Sequence, residues 1–244
     1  MPWTRAGGLD DEHRARLSAA GVDPDVLAST ALRRVDAPLP GWWHEGGNAL
    51  YLGDDVDDVD LPEKLVATMS YYPFSDVVLV VASPTNNVAS LLIGGDGATV
   101  FLGPRSAFTG SEIYCGAHST VVLTADVTAT RCAIVDARNG GSVIAEPGQL
   151  WAANVYIATD DMHRLEDAET GARINPYGAH IRLGRHVWLG RDAIITGHCE
   201  VGDGVVVGSR AMVRGQKVPP RTAVAGCPAR VIREGVTWSP DDTP

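Results

Sequence analysis

Residues 181–214 repeat in steps of six. An aliphatic residue returns at Leu183, Leu189, Ile195, Val201, Val207 and Val213, and glycine follows it at Gly184, Gly190, Gly202 and Gly208. Four places past each aliphatic stands a small or slender residue: Val187, Ala193, Cys199, Val205 and Ala211. A period of six fits neither the 3.6 of an α-helix nor the 2 of an alternating strand. It predicts short strands meeting at regular corners, three to a coil of about 18 residues, with coils stacked about 4.8 Å apart. The aliphatic points into the prism, the small residue fits a crowded corner, and glycine supplies the backbone freedom of the turn. The predicted fold is an all-β solenoid, a parallel β-helix.

Composition suits a narrow aliphatic interior with many turns: 27 glycines, 45% hydrophobic residues and only 6% aromatics in 244 residues. The formal charge of −10 argues against nucleic acid as a partner. The cysteines Cys115, Cys132, Cys199 and Cys227 form no C-x-x-C pair, and Cys199 falls on a repeat corner as a buried free thiol. No signal peptide and no run of 18 apolar residues is apparent, so the expected location is cytoplasmic, without a membrane span.

Residues 1–45 read as an N-terminal helical arm. The stretch 9–21 predicts a helix capped by Asp10 and ended by Gly21, and 23–35 a second, capped by Asp23 with Pro24 at its first position. Prolines then close the segment. The arm is expected to pack on the solenoid's end or on a neighbouring subunit, covering an exposed sheet edge. The solenoid is expected over 46–228, with a tail at 229–244. Its early repeats are degraded: Leu52–Gly53, Ile93–Gly94, Leu102–Gly103 and Cys115–Gly116 keep the aliphatic–glycine step. The acidic run Asp54, Asp55, Asp57, Asp58, Asp60 reads as a solvated loop, since the glycine and glutamate of a calcium loop are missing. The stretch 75–82, with its continuous apolar run, predicts a buried strand.

One hydrophilic insertion, residues 159–178, abandons the six-step. A loop this long inside a compact repeat is usually functional. It carries His163 among Asp160, Asp161, Glu166 and Asp167. An acid two residues before a histidine can orient the ring and raise its basicity, as a general base requires; the alternative is a plain surface histidine in an acidic loop. Six cations (Arg210, Arg214, Lys217, Arg221, Arg230, Arg233) face one acid, Glu234, between Val205 and Gly235, which suits an anionic ligand or a solvated basic face. No G-x-x-x-x-G-K-[ST] or helix-opening G-x-G-x-x-G motif is present.

Asp161–Met162–His163, then Asp167, Thr170–Gly171 and Ile174–Asn175, resembles the loop of hexapeptide-repeat acyltransferases that O-acetylate capsular, exopolysaccharide or lipopolysaccharide sugars. The following block with Trp188, and the ending at residues 225–238, resemble that family's I-x-I-G-x-x-V-W-I-G and A-G-x-P-A-[KR]-x-[IV]-R segments. The resemblance is clear over 144–238 and loose over 48–143. It implies a left-handed parallel β-helix with one long catalytic loop, a homotrimer, and acetyl-CoA held between adjacent prisms. It also implies His163 as general base with Asp161 as its orienter. Trp188, Gly190, Gly208, Ser209, Lys217, Arg230 and Arg233 are then the expected donor-binding residues, with the Gly190 amide a candidate oxyanion donor. Asn154, Asn175 and Tyr177 are the candidate contacts to a carbohydrate or glycosylated small-molecule acceptor. No metal is expected. Two other readings compete. One is a zinc carbonic-anhydrase-like protein of the same fold using His180 and His198, one coil apart, with His118 or a neighbouring subunit; His186 stands a third of a turn away. The other is a non-catalytic assembly module.

Overall fold

The computed structural model describes residues 4–57, 61, 63–85 and 87–241; Asp58 and Asp60 of the acidic run lie outside them. Three sheets of parallel strands form the faces of a prism. In the final coils the chain passes from the first face (His180–Leu183) to the second (Trp188–Leu189) and the third (Ile194–Thr196), then back to the first (Cys199–Val201). Here the spacing is the expected 18: Ile181 pairs with Cys199, Trp188 with Val206, and Ile194 with Met212. The repeat aliphatics Leu183, Leu189, Ile195, Val201, Val207 and Val213 all lie in one buried core.

The earlier coils are longer, which explains their degraded pattern. Val100 pairs with Val121, and Val121 with Val143, so a coil takes 21 or 22 residues. The extra residues sit in the third-face strands and in the corner leading back to the first face. That corner is 138–141 in an early coil and only 197–198 in a late one. Asn139 and His118 turn it with φ of 56° and 53°. The insertion 159–178 leaves the prism at this same corner, after Tyr156–Ala158 and before His180–Leu183. The long loop is therefore an extreme version of a corner that already bulges upstream.

The arm departs from expectation in two ways. Helix α1 (Asp11–Ala19) forms as predicted, with the Asp10 carboxylate accepting from the His13 N–H. Helix α2 stops at Ser29 (Pro24–Ser29), and Leu32–Ala37 is a strand, antiparallel to Thr4–Ala6 on one side and to Ala49–Gly53 on the other. Leu32 and Val35 are buried in this strand, and pairing on both sides outweighs the helical pattern read from the sequence. The helices also lie across the outside of the first face of their own chain, rather than over its end. Leu17, Val22 and Leu27 pack on Tyr51, Val80, Phe101 and Val122, the outward positions of four adjacent strands. Val78–Val81 is thus covered on both sides, which accounts for its unbroken apolar run. The prism's end is filled instead by Trp43 of α3 (Gly41–Glu45) and by Leu65 and Met69 of α4 (Glu63–Tyr71), a helix the acidic sequence before it concealed.

Candidate active site

The insertion folds into a short tongue. The Ile174 N–H donates to the Leu165 carbonyl and the Asp167 N–H to Ala172, each within 2.9 Å, making a narrow hairpin. Its tip is tied by the Asp167 carboxylate, which accepts from the N–H groups of Glu169 and Thr170 and from the Thr170 hydroxyl. The Thr170 amide, more than any other group, holds the Asp167 carboxyl below the usual carboxylate range. Gly171 closes the tip with φ +67°. At the neck, buried Asp160 accepts from the Thr159 hydroxyl (3.0 Å) and the Gly178 N–H (3.2 Å), clasping the two ends together.

His163 sits where the tongue leaves the neck. Its N–H donates to the Asp161 carbonyl at 2.8 Å across Met162, whose φ is +63°. This three-residue γ-turn with a non-glycine centre is strained by roughly 1–3 kcal/mol. It is stabilised by Asn175, which is buried: its side-chain N–H donates to the His163 carbonyl at 2.7 Å, and its oxygen accepts from the Leu165 N–H at 2.9 Å. The imidazole is exposed over a groove of about 370 Å³ on the third face, lined by Tyr156, Ile194, Thr196, Met212 and Arg214. Burial, then the nearby Asp136 charge, raises the Tyr156 phenol above its ordinary pKa. Tyr156, Ile194 and Met212 escaped sequence reasoning. Register locates them, because they lie side by side on the outward row of the third face, with Ile194 and Met212 each one residue before a repeat aliphatic.

Several expected roles change. The Asp161 carboxylate pairs with Arg214 (3.0 Å), not with the His163 ring, so Asp161 anchors the tongue to a later coil. The Gly190 and Gly208 N–H groups donate to Val207 and Val224 in the ladder and are not free for an oxyanion. Gly190 is needed for coil contact: a Cβ there would stand 2.6 Å from the amide nitrogen of Ser209, itself exposed at the corner between second and third faces. At the same corner Asn154 donates to Asp192 (3.0 Å), away from the tongue. Asn175 holds the tongue instead of an acceptor, while Tyr177 is exposed, with the Arg173 guanidinium over its ring.

The expected donor residues are spread around the prism. Trp188 lies on the second face beside Trp238, and His186 stacks on Trp238 with ring centroids 4.0 Å apart. Arg230 and Arg233 are exposed on the strand Arg230–Glu234, antiparallel to Thr222–Ala225 at that face. Lys217 pairs with Glu200 on the first face. A single chain does not gather these cations around His163. The two histidines of the zinc reading meet, the His180 N–H donating to His198 Nδ1 at 3.1 Å, but His186 is bound to Trp238, and among the described residues no three ligands converge. A cavity of about 570 Å³ between α2 and the first-face corners holds no histidine.

The coils form a left-handed β-helix, and sequence comparison matches their repeat. Residues 180–215 match the family model described as bacterial transferase hexapeptide (six repeats). The chain therefore carries the hexapeptide repeat of bacterial transferases over its late coils. It is 40% identical over 93 residues to the putative lipopolysaccharide biosynthesis O-acetyl transferase WbbJ of Escherichia coli K12, a match covering 35% of this chain and 46% of that protein. The chain thus spans under half of that relative's length. It is 27% identical over 185 residues to the polysialic acid O-acetyltransferase of Neisseria meningitidis, covering 67% of this chain and 86% of that one. The solved structure of the polySia-specific acetyltransferase NeuO shares the fold, with a TM-score of 0.60 at 22% identity over 80% of this chain and 76% of that one. No helix among the described residues is long and apolar enough to cross a membrane.

Proposed function

We propose that the protein moves an acetyl group from acetyl-CoA to a hydroxyl, or an amine, of a sugar or glycan acceptor, with His163 as general base. The observation that carries the reading is the placement of His163. A strained turn, an ion-paired anchor and a buried asparagine together fix an exposed imidazole over a groove, more constraint than a plain surface histidine needs. The imidazole takes the acceptor proton as the acceptor oxygen attacks the thioester carbonyl. The tetrahedral adduct then expels the CoA thiolate, which receives that proton from the imidazolium. The names of WbbJ and of the meningococcal relative support O-acetyl transfer to a glycan.

Trp188, Ser209, Arg230 and Arg233 lie away from the tongue in one chain. A homotrimer that sets the second face of one copy against the third face of the next would bring them to the donor. Unpaired thiols at Cys115 and Cys199, both buried, suit a reducing, cytoplasmic setting. The test incubates the protein with acetyl-CoA and a panel of sugars, with mass spectrometry for acetylated product and sizing for the trimer. Acetylated sugar made by a trimer supports the reading. No product, together with no thermal shift on adding CoA, overturns it.

A further inference from the structure

Upstream of His163 the groove continues. Its lining residues Tyr156 and Met162 also border a recess of about 240 Å³, which shares Tyr114 and Arg138 with a third of about 430 Å³. The trough thus runs along the third face toward the bulged corner of His118, Asn139 and Tyr177. Tyr114 lies two strands from Tyr156 and two residues further along, about 12 Å away. The chemistry of its far end is specific. The Arg138 guanidinium lies 4.0 Å over the Tyr114 ring, and its Nε donates to Asp136 at 2.7 Å. Its terminal nitrogens have no acceptor among the described residues, so they are fixed in direction and free to donate. The Tyr114 side chain needs glycine beneath it, since a Cβ at Gly94 would meet its hydroxyl at 2.0 Å. Tyr177, 62% exposed, faces the same recess from the base of the tongue.

We infer that this end is a second glycan subsite, taking an uncharged, hydroxyl-rich sugar residue, and that the acceptor is an oligosaccharide whose far unit binds here while a nearer unit meets His163. At this end the tyrosine rings offer apolar faces to sugar C–H groups and Arg138 and Asn139 donate to hydroxyl oxygens, while in the adjoining recess Glu112 and Asp136 accept from hydroxyl hydrogens. Charge along the trough selects against a polyanion: in the recess leading to this end Glu112 and Asp136 stand against Arg138 alone, on a chain of net charge −10. The assignment of the reacting end rests on the transferase reading; the subsite itself does not.

The experiment measures binding of the full-length protein to a panel of neutral and acidic glycans of one to six residues, without CoA, alongside acetyl-CoA-dependent thiol release. The expected result is neutral-glycan affinity that rises on the order of tenfold between one and three residues, with acidic glycans weaker. Tyr177→Ala, at an exposed site that leaves folding intact, removes most of that gain, and Arg138→Met does likewise. Affinity independent of length, or tighter binding of acidic glycans, overturns the subsite. Thiol release without a length effect leaves the transferase standing and the subsite refuted. A length effect without thiol release does the reverse.

Discussion

Asn175→Ala separates the positioning of the tongue from the stability of the prism. The substitution removes the acceptor of the Leu165 N–H (2.9 Å) and the donor to the His163 carbonyl (2.7 Å), at a residue only 7% exposed. Two lost hydrogen bonds, with their backbone partners left short of a mate, cost about 2–3 kcal/mol. Residues 161–172 are all exposed and bury nothing in the core, so the cost falls on the ordered state of the tongue. At about 1.4 kcal/mol per factor of ten, kcat/KM for thiol release drops roughly 30- to 140-fold. Were the same cost carried by the global fold, Tm would fall by about 4–12 °C. The account predicts the large kinetic loss with Tm nearly unchanged. A Tm fall in that range with the folded fraction still fully active, or no kinetic effect at all, would refute the reasoning.

Other outcomes follow from the same geometry. Gly190→Ala forces backbone at Ser209 and Gly208 apart and lowers stability by about 1–3 kcal/mol in urea unfolding, whereas Gly8→Ala, with nothing nearer than 3.9 Å, is neutral. Leu17→Ala, fully buried against the first face, costs about 2–5 kcal/mol, and folded protein keeps its thiol-release activity. Burial opposes ionisation of Asp10, yet the His13 amide and the Tyr51 hydroxyl hold its carboxyl below 3.8. Its capping contribution is therefore present at neutral pH and lost as pH falls through that lowered value, so the stability gap between wild type and Asp10→Ala closes in acid. Burial and the Asp10 hydrogen bond push the Tyr51 phenol up to about 12, so stability falls as pH rises from 10 toward 12, and Tyr51→Phe removes that fall.

The six-step carried the late coils because nothing else acts on those residues: each aliphatic has one job, filling a prism of fixed width. Upstream the pattern blurs where residues serve two masters. Val78, Val80 and Phe101 are apolar for the arm's sake, and the longer third-face corners break the count, so neither α4 nor the face chosen by α1 was legible. The motif in the tongue was legible as a motif but not as mechanics. Asp167, Thr170, Gly171 and Asn175 prove to be the hairpin's ties, and Asp161 its anchor to Arg214. Spacing along the chain locates such residues; which atoms they bind depends on a coil 53 residues further on. Trp188 illustrates the same limit, being one short corner from a repeat aliphatic and yet on another face of the prism.

The most direct measurement compares acceptor-dependent release of CoA by wild type and by His163→Ala, with Tm and oligomeric size recorded for both. The account predicts a loss of about 10²–10⁴-fold in kcat with Tm and size unchanged, because the proposed role of the exposed ring is that of a base and not of a packing residue. A His163→Ala protein that releases CoA at the wild-type rate would contradict it.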